Sequence, residues 1–111
     1  MELLTKLEEL ILLSVWKLQK DAYGITIYKY IQRVTGKKLS LGGVYFPLDR
    51  LTIKGYLKAF TAEATEQRRG LSKRYYEITE MGKNALNELK KVNEEMWEGY
   101  PHHSLIMERK K

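Results

Sequence analysis

The apolar positions fall into three helical stripes, two short alternating runs and a last narrow seam. Leu7, Leu10, Ile11, Ser14, Val15 and Leu18 keep the i, i+3, i+4 spacing of an amphipathic helix running to about Lys20, with Thr5 as its cap. Leu3, Leu4, Leu13 and Trp16 widen that stripe beyond one face. A helix this apolar calls for a partner besides its own core, and a second subunit is the first candidate. Asp21-Ala22-Tyr23-Gly24 reads as a turn and the start of a second helix, with Ile25, Tyr28, Ile31 and either Gln32 or Val34 inward. Gly36 closes it, as glycine does where φ must turn positive.

Ser40 is a preferred N-cap and predicts a third helix. Leu41, Val44, Leu48 and Leu51 line its inner face at about 100° per residue. The opposite face carries Gly42, Gly43, Phe46, Asp49, Arg50 and Ile53, with Tyr45 on the flank. Glycines and exposed aromatics are poor choices there for stability alone. Pro47 falls inside the helix, where its ring opposes the carbonyl of Gly43, so an irregular first turn is expected.

After Gly55, Leu57–Ala62 and residues 72–79 alternate as strands, with Tyr76 and Ile78 inward against Tyr75 and Glu77. Residues 63–71 between them are polar and hold Arg68-Arg69-Gly70, making a hairpin with a long basic tip. Thr79 then caps a last helix in which Ala85, Leu89, Val92 and Met96 recur at 4-3-4 spacing. So narrow a seam suits helix-to-helix packing between subunits. Gly99-Tyr100-Pro101 ends it, and a loosely held tail follows.

The order predicts a mainly α fold with a small β-hairpin. It is a winged helix-turn-helix, a three-helix core plus a wing, with a C-terminal dimerisation helix. The divisions are residues 5–79 for the winged domain, 80–98 for the dimerisation helix and 99–111 for the tail. Leu3, Leu4, Leu7 and Ile11 join Ala85, Leu89, Val92 and Met96 as the candidate dimer surface.

Composition sharpens this picture. With 111 residues, 43% of them hydrophobic and 31% charged, the chain suits one soluble domain with a modest core. The absence of cysteine excludes disulfides, thiolate zinc sites and cysteine nucleophiles. The start of the chain has no signal-peptide pattern and no run approaches the ~20 apolar residues of a membrane span, so a cytoplasmic protein is expected. Between residues 37 and 76 nine basic residues face only Asp49, Glu63 and Glu66. The whole net charge of +6 therefore lies there, while the flanks carry +1 and −1. That is the footprint of a nucleic-acid surface or of a solvated basic face.

Tyr23-Gly24, Ser40 through Gly43-Val44-Tyr45, Leu48-Asp49-Arg50-Leu51 and Lys54-Gly55-Tyr56 resemble PadR-type transcriptional regulators. So do Arg74-Tyr75-Tyr76 leading into Ile78-Thr79, Gly82 and Ala85-Leu86. The resemblance covers roughly residues 7–96. It implies a dimeric winged helix protein, usually a repressor on palindromic operator DNA, often in its own promoter. It also implies a terminal helix that crosses the partner's first helix. The single short terminal helix resembles the smaller branch of the family. Two features depart from the pattern. Many members have Tyr-Pro where this chain has Tyr45-Phe46, its proline coming one position later, and residues 62–67 make the wing acidic at its start.

On this basis the third helix enters the major groove. Gly42 and Gly43 allow close approach, Arg50 reaches guanine or phosphate, and Ser40, Phe46 and Asp49 complete the surface. Tyr45 either bonds a phosphate or packs half-buried on the flank. Lys37 and Lys38 touch backbone, and Arg68, Arg69, Lys73 and Arg74 line the wing. Some family members take flat aromatic compounds between their subunits, which makes Trp16 and Trp97 candidates for a small aromatic effector, although packing of the dimer interface is the simpler reading of both. No cofactor, metal or membrane partner is expected. An enzyme is disfavoured: His102 and His103 are adjacent in the tail, and Glu94, Glu95 and Glu98 read as a solvated helix face. The rival is a winged helix that binds an acidic protein partner.

Overall fold

A reciprocal cap starts the first helix, α1 (Lys6–Leu18): the Thr5 amide donates to Glu8 Oε1 at 2.8 Å and the Glu8 amide to Thr5 Oγ1 at 3.1 Å. The computed structural model describes residues 2–62 and 73–101. α1 stops at Leu18 rather than about Lys20, because Gln19 turns to φ +52° and a single 3-10 turn, Gln19–Asp21, follows. α2 (Gly24–Thr35) begins where the Thr26 hydroxyl accepts from the Tyr23 amide at 3.0 Å and donates to the Asp21 carbonyl at 2.6 Å. It ends at Gly36 with φ +70°, the left-handed conformation anticipated there.

α3 (Gly42–Ile53) starts one residue later than the stripe implied. Ser40 still caps it, its Oγ accepting from the Gly43 amide at 3.0 Å. The shift leaves Leu41 before the first turn and 45% exposed, so it is not on the inner face. Val44, Leu48 and Leu51 are fully buried, and Pro47 is buried beside them. On α2 it is Gln32 that turns partly inward; Val34 is exposed.

These three helices close on Ile11, Leu12, Val15, Ile27 and Ile31, with Leu57 and Tyr76 from the hairpin completing the core. Each such aliphatic side chain contributes about 1.5–3 kcal/mol by leaving water. β1 (Leu57–Ala62) and β2 (Lys73–Ile78) pair antiparallel, Leu57 opposite Ile78 and Ala62 opposite Lys73. Successive side chains alternate between faces. Tyr76 and Ile78 face the core as predicted, but Tyr75 is half-buried rather than free. It stacks on Phe60 at 5.9 Å and meets Tyr23 edge-on at 5.3 Å. Residues 22 and 23 join the free edge of β2, the Tyr76 amide donating to the Ala22 carbonyl at 2.9 Å.

Thr79 caps α4 (Glu80–Trp97), accepting from the Gly82 amide at 3.1 Å and donating to the Gly55 carbonyl at 2.6 Å. Gly82 packs on the Tyr56 carbonyl so closely that a Cβ would collide with it. α4 runs antiparallel to α1: Lys83 lies over Trp16, and Asn93 Nδ2 donates to Glu9 Oε2 at 3.2 Å. Its last turns carry exposed Met96 and Trp97. No described helix is long and apolar enough to cross a membrane.

Candidate nucleic-acid interface

The outer face of α3 is largely exposed among the described residues. Gly42, Asp49 and Arg50 are exposed, Phe46 keeps 69% and Ile53 84% of its surface. Gly43 is different. Ser40 Oγ sits 3.0 Å from where its Cβ would stand, so it belongs to the cap and only Gly42 leaves an open approach. Of the two roles foreseen for Tyr45, the structure shows the packing one. Its ring lies across Gly24, where any Cβ would overlap it, and its other side is exposed. Gly24 therefore lets α2 and α3 approach at the point where Tyr45 crosses.

The root of the wing meets the same surface. Arg74 lies on the α3 side of β2, with Nη1 3.7 Å from Asp49 Oδ1 and its guanidinium 5.5 Å from the Tyr76 ring centroid. Burial pushes the Tyr76 phenol up from its usual range while Arg74 pulls the other way, so the ring offers the guanidinium a neutral face. Lys73, one residue earlier, points to the opposite side and stands 4.2 Å from the Tyr23 ring centroid. The strand's alternation thus separates two cations that sequence places together. Arg68 and Arg69 lie outside the described residues.

Lys37 and Lys38 are exposed between α2 and α3. Lys54 is engaged: its Nζ lies 2.8 Å from Glu2 Oε1 and 4.0 Å from Glu8 Oε2. That hydrogen bond raises the Lys54 ammonium and lowers the Glu2 carboxyl from their ordinary values. Neither the Asp49–Arg74 pair nor the Tyr23 contacts could be read from spacing, since each joins residues 25 or more positions apart. Alternation in β2 is the one sequence signal that assigns Arg74 and Lys73 to opposite faces.

The candidate dimer residues divide. Ile11 is wholly enclosed in the core and Leu89 is buried within the protomer, so neither offers surface of its own. Leu4, Leu7, Ala85 and Val92 are half-buried, while Leu3 and Met96 are exposed. Trp16 lines a groove of about 370 Å³ between α1 and α4, with Leu13, Leu86, Lys83 and Lys90. Trp97 does not share it; at 1.5 Å per residue it stands about 20 Å further along α4 than Lys83, packed edge-on against Tyr100 at 5.2 Å. One protomer does not bring the two tryptophans together. Among the described residues no group of three or more acidic or histidine side chains is placed to hold a metal ion. His102 and His103 fall outside the described residues.

The arrangement has relatives. The family model described as the transcriptional regulator PadR-like family matches residues 12–88. Among solved structures, a PadR family transcription regulator from hypervirulent Clostridium difficile R20291 is 32% identical, covering 83% of this chain and 90% of its own, with a TM-score of 0.65. A PadR-like transcription factor from Bacteroides fragilis is 28% identical over 81% of this chain and 82% of its own, with a TM-score of 0.68. Bacillus subtilis PadR, whose structure is a complex with operator DNA, is 25% identical over 76% of this chain and 46% of its own, with a TM-score of 0.61. No curated protein matches. With the family model spanning more than half of the chain and the fold shared with its solved members, this protein belongs to the PadR-like family of transcriptional regulators.

Proposed function

We propose that this protein is a homodimeric repressor that binds a palindromic operator through α3 and the wing. The observation that carries the reading is the Asp49–Arg74 contact. It joins the wing root to the exposed outer face of α3, so that Arg50 and Arg74 belong to one surface. The complex of Bacillus subtilis PadR with operator DNA supports it by kinship. Arg50 reads guanine, or grips phosphate, from the major groove; Arg74, Lys37 and Lys38 contact the backbone, with Arg68 and Arg69 further along the wing.

Residues 5–79 form the reading domain and residues 80–98 the dimerisation helix, followed by the tail at 99–111. Exposed Leu3, Leu13 and Trp16 on one side, and Met96 and Trp97 on the other, support a second copy as the partner. A symmetric dimer sets its half-sites about 34 Å apart, one helical turn. An aromatic effector between subunits would find Trp16 and Trp97 from different protomers.

Fluorescence anisotropy on the protein's own upstream DNA tests the proposal. Log affinity should fall with log salt at a slope near −0.9 for each phosphate neutralised. Binding without salt dependence would sink it. A monomer that binds no DNA would point instead to the acidic protein partner.

A further inference from the structure

We infer that Phe46 is a specificity residue that reads the 5-methyl group of a pyrimidine, thymine or 5-methylcytosine, in each half-site. This rests on the proposed binding of α3 in the major groove and deepens it. Phe46 is 69% exposed on the outer face of α3, and among the described residues neither the core nor the helix cap uses its ring. The open space at Gly42, one turn earlier, lets the ring lie along the helix: a Cβ there would meet only Phe46 Cε2, at 3.7 Å. The next residue, Pro47, is buried and fixes its own φ, so the backbone that carries Phe46 is stiff.

The chemistry of such a ring is narrow. It neither donates nor accepts a hydrogen bond, so it cannot read a base edge by polar pairing. A phosphate gives it nothing. What the major groove offers an apolar side chain is the methyl group at C5, the one apolar feature among the base edges. Arg50 follows Phe46 by four residues on the same face, about 6 Å along the helix, close to the rise of two base steps. The half-site should therefore place a methylated pyrimidine within one or two base pairs of the guanine taken by Arg50. Burial of one methyl group corresponds to about fourfold in affinity, and a symmetric pair of contacts to roughly fifteenfold.

The test uses the full chain and an operator selected from random-sequence DNA. Each thymine is replaced in turn by deoxyuridine, symmetrically in both half-sites, which removes the methyl and nothing else. Wild-type protein should lose about an order of magnitude at one position, and 5-methylcytosine there should restore affinity where cytosine does not. In Phe46→Ala the loss at that position should vanish while binding stays salt-dependent; an unchanged thermal melt shows that the variant is folded. Operator binding with no methyl-sensitive position, or with one that persists undiminished in Phe46→Ala, overturns the inference and leaves the DNA reading standing. Failure to select any operator overturns both.

Discussion

The exposed apolar side chains of α3 and those at the end of α4 sit in opposite electrostatic company. Phe46 and Ile53 share their face with Arg50, and Arg74 reaches it from the wing. Met96, 78% exposed, and Trp97, 65% exposed, stand among Glu94, Glu95 and Glu98. Apolar exposure alone does not say what kind of molecule covers it. The neighbouring charge does: carboxylates around Met96 and Trp97 repel a polyanion, whereas the cations beside Phe46 attract one. On the proposed reading, two patches of similar hydropathy suit different partners, a protein surface and a nucleic acid.

That contrast can be broken in several ways, and the largest effect comes from inside α3. Leu48→Ala empties a fully buried site and should cost about 2–5 kcal/mol, lowering the melting temperature by roughly 10 °C or more by circular dichroism. Phe46→Ala, two residues away on the open face, should stay within about 0.5 kcal/mol. Equal losses would mean that both faces of α3 are structural. Next comes the end of α4. Met96→Glu with Trp97→Glu adds charge to an already acidic apolar patch, and sedimentation should show the dimer weakened by about a hundredfold or more with the fold kept. An unchanged sedimentation profile would place the subunit contact elsewhere.

Smaller effects separate the cations. Arg50→Ala and Arg74→Ala should each weaken operator binding about tenfold, but only Arg50→Ala should change the base preference recovered by selection. Arg74→Ala should instead lower the salt slope by about one for each phosphate it no longer neutralises, equally on any sequence. The smallest change is Asp49→Asn. The exposed pair with Arg74 is worth under about 1 kcal/mol, so releasing it should tighten binding to random DNA no more than a few-fold at low salt. Weaker binding would show that Asp49 contacts DNA itself.

Local chemistry was legible in the sequence, and contacts across the chain were not. Thr5, Gly36 and Thr79 mark helix ends because capping needs only residues within about four positions. The alternation over Leu57–Ala62 gives that strand directly. Leu41 misled because the spacing of an apolar stripe does not say where a helix begins; Ser40 caps a helix that opens at Gly42. Ile11 misled for a related reason: one apolar stripe can serve a core or a partner, and only the packing of α2 and α3 against α1 assigns it to the core. The regional excess of charge was visible, but the division of labour within it was not. That Lys54 is tied to Glu2, Arg74 to Asp49 and Lys73 to the Tyr23 ring depends on the closed tertiary structure.

The dipeptide Tyr23-Gly24 works as a mechanical pivot. One residue holds the wing by what its side chain touches, Tyr75 and Lys73; the next holds α3 by lacking a side chain, under Tyr45. Wing and reading helix thus hang from adjacent links of the chain, and a displacement of either is transmitted to the other through two residues. The described root of the wing and α3 are thus coupled through contacts of adjacent residues. If two copies pair as proposed, regulation can act on how far apart, and at what angle, two such coupled units are held.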